Sequence, residues 1–152
     1  MAGVGEPLTS LPPEVLAALS QHLEGCYPRE GCGVLLRTAA GAWRARPLRN
    51  ALGARTAYAF APSEWLAVLQ DADARAERVA GVFHSHVDTP ADFSDEDRRQ
   101  AMTDEGPVWA EVFHLVVAVR AGRAVEARRF DWNGREFAGR ELPWPPAPTQ
   151  IP

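Results

Sequence analysis

Apolar positions divide the chain into helical and extended segments. Two segments carry apolar residues at the 3.6-residue spacing of one helical face, as Val15, Leu16, Leu19 and Leu23 do in the first, and a third begins with the capping pattern of Ser94 to Asp97. These predicted helices are residues 12–25, 62–78 and 94–103. Alternating or continuous apolar runs bounded by turn residues predict strands. The predicted strands are residues 30–36, 42–48, 57–61, 79–83, 112–119, 125–132 and a short 135–137.

This order of elements predicts an α/β (α+β) fold. A mixed β-sheet, curled around a core, would be flanked by about three helices. Residues 1–10 are glycine-rich and are predicted to be a flexible N-terminus, followed by one domain over residues 11–140. Residues 141–152 are predicted to be an extended tail, because five of the last eleven residues are proline.

Composition narrows the class of protein. With 46% hydrophobic residues in a chain of 152, a sizeable core is expected. A net charge of −4 argues against a nucleic-acid partner. There is no secretory signal pattern and no apolar run near the roughly 18 residues that a membrane span requires, so no membrane partner is expected. Two cysteines are too few for a disulfide framework, which favours the cytoplasm.

The candidate chemistry lies just after the predicted strand 79–83. Residues i and i+2 of a strand point to the same face, so His84 and His86 can direct their imidazoles to one point. Ser94 begins a predicted helix whose first turn carries Asp97. Two imidazole nitrogens and one carboxylate oxygen make a three-ligand site for a single Zn²⁺ that keeps a fourth position open, which is typical of hydrolytic zinc.

Two further residues complete a hydrolytic set. Glu30, at the start of a predicted strand and beside glycines, is the candidate base. The Ser94 hydroxyl, three residues before Asp97, is the candidate donor to an oxyanion. The segment Ser94 to Asp97 is also a good helix capping box, and both interpretations can hold together.

The spacing His84-x-His86-x7-Ser94-x2-Asp97, with Glu30-x-Cys32-Gly33 upstream, resembles the JAMM (MPN-plus, Mov34/PAD-1) metalloprotease family, closest to its short bacterial members. The resemblance implies the JAMM/MPN architecture, which is related to that of cytidine deaminases. It also implies that His84, His86 and Asp97 bind zinc, that Glu30 deprotonates a zinc-activated water, and that Ser94 stabilises the tetrahedral intermediate.

The resemblance further implies a reaction. A peptide or isopeptide bond after the C-terminal glycine of a ubiquitin-like protein would be hydrolysed. Many relatives have proline where Val87 and Phe93 stand here, so the loop between the ligands differs. The chain lacks the long insertions with which eukaryotic relatives hold ubiquitin chains, which favours a small sulfur-carrier protein bound through its glycine tail. The sequence makes no prediction of oligomeric state.

Three alternatives remain at this stage. The domain can be a non-enzymatic MPN-type binding scaffold, or a zinc amidohydrolase that acts on a small-molecule conjugate. A third interpretation takes His84-x-His86-x-Asp88 as a metallo-β-lactamase-type site, but that site needs a histidine where Thr89 stands and more histidines downstream than His114. We interpret Cys32 as a packed small residue and His114 as a core or edge residue whose polar atoms are satisfied.

Overall fold

The computed structural model describes residues 11–145 and gives them three helices and eight strands. The helices are α1 (Pro13–Cys26), α2 (Pro62–Ala74) and α3 (Asp95–Ala101). The strands are β1 (Cys32–Thr38), β2 (Trp43–Leu48), β3 (Glu77–Val87), β4 (Met102–Thr103), β5 (Gly106–Pro107), β6 (Phe113–Arg120), β7 (Arg123–Trp132) and β8 (Phe137–Glu141). No helix in this part of the chain is both long enough and apolar enough to cross a membrane.

Six of the strands form one mixed sheet, as predicted. Their order is β2-β1-β3-β6-β7-β8. Neighbours are antiparallel except β3 and β6, which run parallel because α3 and the β4–β5 hairpin lie between them in the chain. The central strands β3 and β6 are buried along most of their length, which explains their continuous apolar sequences.

The alternation of side chains along the strands gives the sheet two packed faces. One face carries Leu35, Phe83 and Leu115 and is covered by α1. The opposite face carries Val34 and Val82 against α2, and Val116 and Ala118 next to α3. His84 has the same parity as Val82, so the histidine pair lies on the α2 and α3 face of the sheet.

The predicted strand at residues 57–61 is wrong. The backbone there pairs with a side chain instead of a strand: the Asn50 amide donates to the Ala57 carbonyl at 2.9 Å and accepts from the Ala59 N–H at 3.2 Å. Alternation of Tyr58 and Phe60 with alanines suggested a strand, but one asparagine satisfies the polar groups that a ladder would have paired.

Two helix ends and a turn also differ from the prediction. The helix predicted to reach residue 78 ends at Ala74, and Ala76 turns the chain with a positive φ of 54° into the early start of β3. The helix predicted over residues 94–103 ends at Ala101. Residues 102–107, predicted to end that helix and form a turn, pair as the small hairpin of β4 and β5.

The chain ends are described only in part. Residues 1–10, predicted to be flexible, and residues 146–152 of the predicted tail lie outside the described residues. The first residues of the tail segment pack on the sheet: the Leu142 N–H donates to the Ala127 carbonyl at 3.0 Å, and the Trp144 indole N–H donates to the Ala124 carbonyl at 3.0 Å. Both side chains belong to the core on the α1 side.

Candidate metal centre

The two histidines lie at the end of a central strand. In β3, His84 is opposite Cys32 of β1 and Val116 of β6, so a strand flanks it on each side. Both imidazoles are buried. A buried polar ring must find partners in the protein, and among the described residues the carboxylate of Asp97 is the charged group within hydrogen-bond distance of both rings.

Asp97 is fixed by the start of α3. The Asp97 N–H donates to the Ser94 Oγ at 3.1 Å, and the Ser94 N–H donates to Asp97 Oδ2 at 3.0 Å, which together form the predicted capping box. The cap therefore orients the carboxylate as well as beginning the helix. Both oxygens of the Asp97 carboxylate lie next to the histidines.

The three side chains meet at the spacing of a zinc site. His84 Nε2 and His86 Nε2 are 3.3 Å apart, His84 Nε2 is 3.2 Å from Asp97 Oδ1, and His86 Nε2 is 3.0 Å from Asp97 Oδ2. Zinc–nitrogen distances of about 2.0–2.1 Å imply ligand atoms about 3.3 Å apart in a tetrahedron. The donors are two nitrogens and an oxygen, all of them atom types that bind zinc in proteins. This group can hold a metal ion.

A different contact orients each histidine ring. The Nδ1–H of His86 donates to the Pro90 carbonyl at 2.8 Å, which leaves Nε2 for a metal. The His84 ring stacks on Tyr58, with centroids 4.6 Å apart and planes 24° apart. Sequence reasoning missed this role of Tyr58, because its alternation with alanines was interpreted as a strand.

Charges in the cluster are tightly coupled. Burial alone would raise the pKa of Asp97, but hydrogen bonds from His84 and His86 outweigh it and hold that pKa well below its usual range. Burial lowers the pKa of His84, whereas for His86 the Asp97 carboxylate and the Pro90 carbonyl overcome burial and raise the pKa. An ionised carboxylate between two imidazoles is the charge state in which a cation binds.

The structure places Glu30 beside this cluster. The β1–β3 ladder continues past Cys32, since the Ser85 N–H donates to the Gly31 carbonyl at 3.0 Å and the Gly31 N–H donates to Ser85 Oγ at 2.8 Å. Extending the register by one more residue brings Glu30 opposite His86. The Asn50 amide also donates to the Glu30 carbonyl at 3.0 Å and so fixes the backbone of the candidate base.

The environment of Glu30 suits a base that exchanges a proton. Burial raises the pKa of its carboxyl to about 8, an effect that the charge of His86 opposes and that of Asp97 reinforces. Among the described residues, no side chain or backbone group donates a hydrogen bond to this carboxylate, so it has no competing partner. Its proton affinity thus lies in the range useful for transfer near neutral pH.

Ser94 keeps a donor available. Its oxygen accepts the hydrogen bond from the Asp97 N–H, and a hydroxyl that accepts in this way still has its own proton to donate. The residue is only half-buried, so that proton can reach a ligand.

One cavity adjoins the metal cluster and a second adjoins Glu30. One, of about 200 Å³, borders His84 and Asp97 and is lined mainly by aromatic and aliphatic side chains, His114 among them. The other, of about 530 Å³, borders Glu30 together with His22, Arg29 and Asn50.

Neither of the remaining sequence candidates, Asp88 and Cys32, is one of the side chains that meet in the metal cluster. The Asp88 carboxylate accepts from the Tyr27 hydroxyl at 2.8 Å and from the Ala121 N–H at 2.9 Å, and so does not join the histidines as a metallo-β-lactamase-type site would need. Cys32 is buried, and burial raises the pKa of its thiol to about 12, so it is a packed thiol and no nucleophile.

The sequence as a whole matches a model of a known family. The model describes prokaryotic homologues of the JAB domain and matches residues 12–133. The chain belongs to this family. Its prokaryotic JAB domain is of the short bacterial JAMM/MPN type, as the resemblance in the motif predicted. Among curated proteins, no match was found.

Solved structures of similar proteins share the prokaryotic JAB fold described here. A protein from Desulfitobacterium hafniense is 22% identical with a TM-score of 0.67, and the alignment covers 87% of this chain and 89% of that one. One from Salinibacter ruber is 26% identical with a TM-score of 0.62, covering 91% and 94%. A JAB1/MPN domain protein from Archaeoglobus fulgidus is 14% identical with a TM-score of 0.52, covering 86% and 95%.

Proposed function

We propose that this prokaryotic JAB domain is a zinc-dependent peptidase or isopeptidase. Its substrate would be the bond after the C-terminal glycine of a ubiquitin-like or sulfur-carrier protein in the cytoplasm. The observation that carries the proposal is the meeting of His84, His86 and Asp97 with mutual distances of 3.0–3.3 Å, beside a buried glutamate. A scaffold that only binds a partner has no need for such a cluster.

The residues divide the chemistry among them. Zinc held by His84, His86 and Asp97 would supply a Lewis acid that lowers the pKa of water toward about 7. Glu30 accepts a proton from the attacking water and passes it to the leaving nitrogen, a role that its raised pKa supports. Ser94 donates its hydroxyl proton to the carbonyl oxygen as negative charge develops there.

The substrate class rests on family membership and on the shape of the site. The ligands are buried on the face of the sheet between α2 and α3, so a chain must approach them closely. Glycine has no side chain to obstruct that approach. Glu30 takes one proton from the attacking water and returns it to the leaving amine. This transfer suits an amide bond in particular, because an amine leaves only when it is protonated.

A fusion-cleavage assay tests the proposal. A bacterial sulfur-carrier protein is joined through its terminal Gly-Gly to a reporter protein and incubated with the zinc-loaded domain. Mass spectrometry should find one cut, after the second glycine. The same assay on a small amide, in which a glycyl group is joined to the amino group of an amino acid without any carrier protein, tests the amidohydrolase alternative.

The outcomes separate the proposed peptidase from the amidohydrolase and from the binding scaffold. Cleavage of the fusion supports the proposal, and cleavage of the small amide alone would replace it with an amidohydrolase. A domain that binds the carrier protein but cleaves neither substrate with one zinc per chain would be a scaffold, and the proposal would be wrong.

A further inference from the structure

The cavity beside His84 and Asp97 has no part in the chemistry described above. Building on the proposed function, we propose that it is a specificity subsite for an aromatic side chain, tyrosine before phenylalanine. That side chain would belong to the third residue before the scissile bond of the substrate tail.

The lining of this cavity matches an aromatic ring. Tyr58, Phe60, Phe93 and Trp109 surround it, and Val108 lies at its exposed rim. Aromatic rings attract one another in stacked and edge-on arrangements. The volume of about 200 Å³ is sufficient for one such ring, given that an apolar protein cavity of about 150 Å³ holds benzene. It is too small for a folded partner.

The β1–β3 register determines which side of the substrate reaches this cavity. Glu30 lies opposite His86, whereas Val82, which lines the cavity, lies four residues earlier on β3. At about 3.3 Å per residue these points are about 13 Å apart, with His84 between them. Glu30 must reach the leaving nitrogen, so the leaving group is on its side. The carrier tail then extends in the opposite direction along β3, from His84 toward Val82 and the cavity.

Two glycines span the distance from the metal ligand His84 to Val82 in the cavity wall. His84 and Val82 are two residues apart on β3, which corresponds to about 6.6 Å, and two extended residues of a tail cover the same length. The third residue before the bond therefore comes level with Val82. Its side chain points to the same side as that of the last residue, because side chains of an extended chain alternate with a period of two.

A buried imidazole, that of His114, is among the polar groups that line the cavity. His114 pairs with Val82 in the β3–β6 register, and its ring packs 5.1 Å from Phe93 and 5.2 Å from Phe137. Within residues 11–145 its ring nitrogens have no hydrogen-bond partner. Burial lowers its pKa to about 4, so the ring is neutral and can both donate and accept. A tyrosine hydroxyl would satisfy it.

The test uses the carrier fusion with Tyr, Phe, Ala or Asp placed before Gly-Gly. We expect kcat/KM to be at least ten times higher for Tyr and Phe than for Ala, and lowest for Asp. Calorimetry of the cleaved carrier products should show the same order of affinity, independent of turnover. Equal rates and equal affinities for all four would overturn the subsite while the peptidase stands. Absence of cleavage with every residue would instead contradict the proposed function.

Matched variants test the location. Val108→Asp places a charge at the rim of the cavity, and Val125→Asp places one at a similarly exposed position of β7 outside it. Val108→Asp should lower kcat/KM about tenfold for the Phe substrate and less than twofold for the Ala substrate, and Val125→Asp should change neither. His114→Phe should make Tyr and Phe equal substrates. A retained Tyr preference, or equal effects of both charges, would place the subsite elsewhere.

Discussion

At the scale of single residues, the metal centre depends on side chains that serve two purposes. Ser94 and Asp97 begin α3 and also belong to the candidate site, through the reciprocal hydrogen bonds of 3.0 and 3.1 Å between them. Both purposes were predictable, since a capping box is a local pattern and Asp97 lies in its third position. The contribution of Tyr58 was not, because stacking on His84 joins residues 26 positions apart.

Substitutions of Ser94 separate its two roles. Ser94→Asp keeps a side chain that can accept from the Asp97 N–H but has no proton to donate to an oxyanion. We expect it to fold with nearly unchanged stability and to lose about 10²–10³-fold in kcat. Ser94→Ala should lose both activity and about 1 kcal/mol of stability, measured by denaturant unfolding. Ser94→Thr, which keeps cap and hydroxyl, is the control. Full activity of Ser94→Asp would exclude the hydroxyl as donor.

The raised pKa of Glu30 makes a prediction about stability of the metal-free protein. Its folded pKa of about 8 lies above the ordinary 4.5, so the folded state holds the proton more tightly than the unfolded chain does. Stability is therefore lost as the pH rises from about 4.5 through 8. In chelator, Glu30→Gln should be as stable as the parent at pH 4 and more stable by about 1–2 kcal/mol at pH 8.5, after allowance for partial solvent screening.

Urea unfolding at the two pH values measures this difference. Glu105→Gln removes the same charge at an exposed position and is the control, expected to follow the parent at both pH values. An equal stability of Glu30→Gln and parent at pH 8.5 would mean that the Glu30 carboxylate is solvated and does not lie in the buried position described.

At the scale of elements, the sheet register joins parts of the site that are distant in sequence. Glu30 and His86 are 56 positions apart and meet because β1 pairs antiparallel with β3. Apolar periodicity predicted most of the large sheet's strands, but it contains no information on which strands pair or in what register. Glu30 was therefore predicted from its position beside glycines at the start of a strand and from the family resemblance, and the strand register explains why it lies near the histidines. The false strand at residues 57–61 arose because Asn50 satisfies that backbone from outside the segment.

Two glycines test how tightly the strands around the site pack. A Cβ at Gly33 of β1 would lie 2.3 Å from the Phe83 ring and 2.5 Å from the Arg46 carbonyl, whereas a Cβ at Gly25 of α1 would meet nothing within 4 Å. Gly33→Ala should cost about 1–3 kcal/mol because backbone and core must shift. Gly25→Ala should be neutral or stabilise by up to about 1 kcal/mol, since alanine favours a helix.

The free energy of unfolding of both variants checks this prediction. The metal-free protein is the appropriate sample, because bound zinc would add its own stabilisation. If Gly33→Ala were as stable as Gly25→Ala, β1 would not lie between β2 and β3 in the register described.

At the scale of the whole molecule, the two faces of the sheet carry different kinds of side chains. Helix α1 covers a face that is mainly apolar core, whereas the α2 and α3 face holds the three candidate ligands and the aromatic cavity. Sequence alone indicated one domain, a mixed sheet and a zinc motif; the structure confirms the mixed sheet, and the family model confirms the family that the motif resembles. The sequence could not indicate the cavity, because the shape of a cavity depends on how the elements pack. Its walls come from residues 58–60, β3, α3, the segment 108–109 and β6.

In the proposed mechanism, one zinc and Glu30 together hydrolyse the bond after glycine. A zinc titration of the chelator-treated protein tests it most directly, with cleavage of the carrier fusion followed at each addition. Activity should rise linearly to one equivalent of zinc per chain and then stay constant. Glu30→Gln should bind the same single equivalent with less than a thousandth of the activity. Activity without zinc, or a Glu30→Gln variant as active as the parent, would exclude this mechanism.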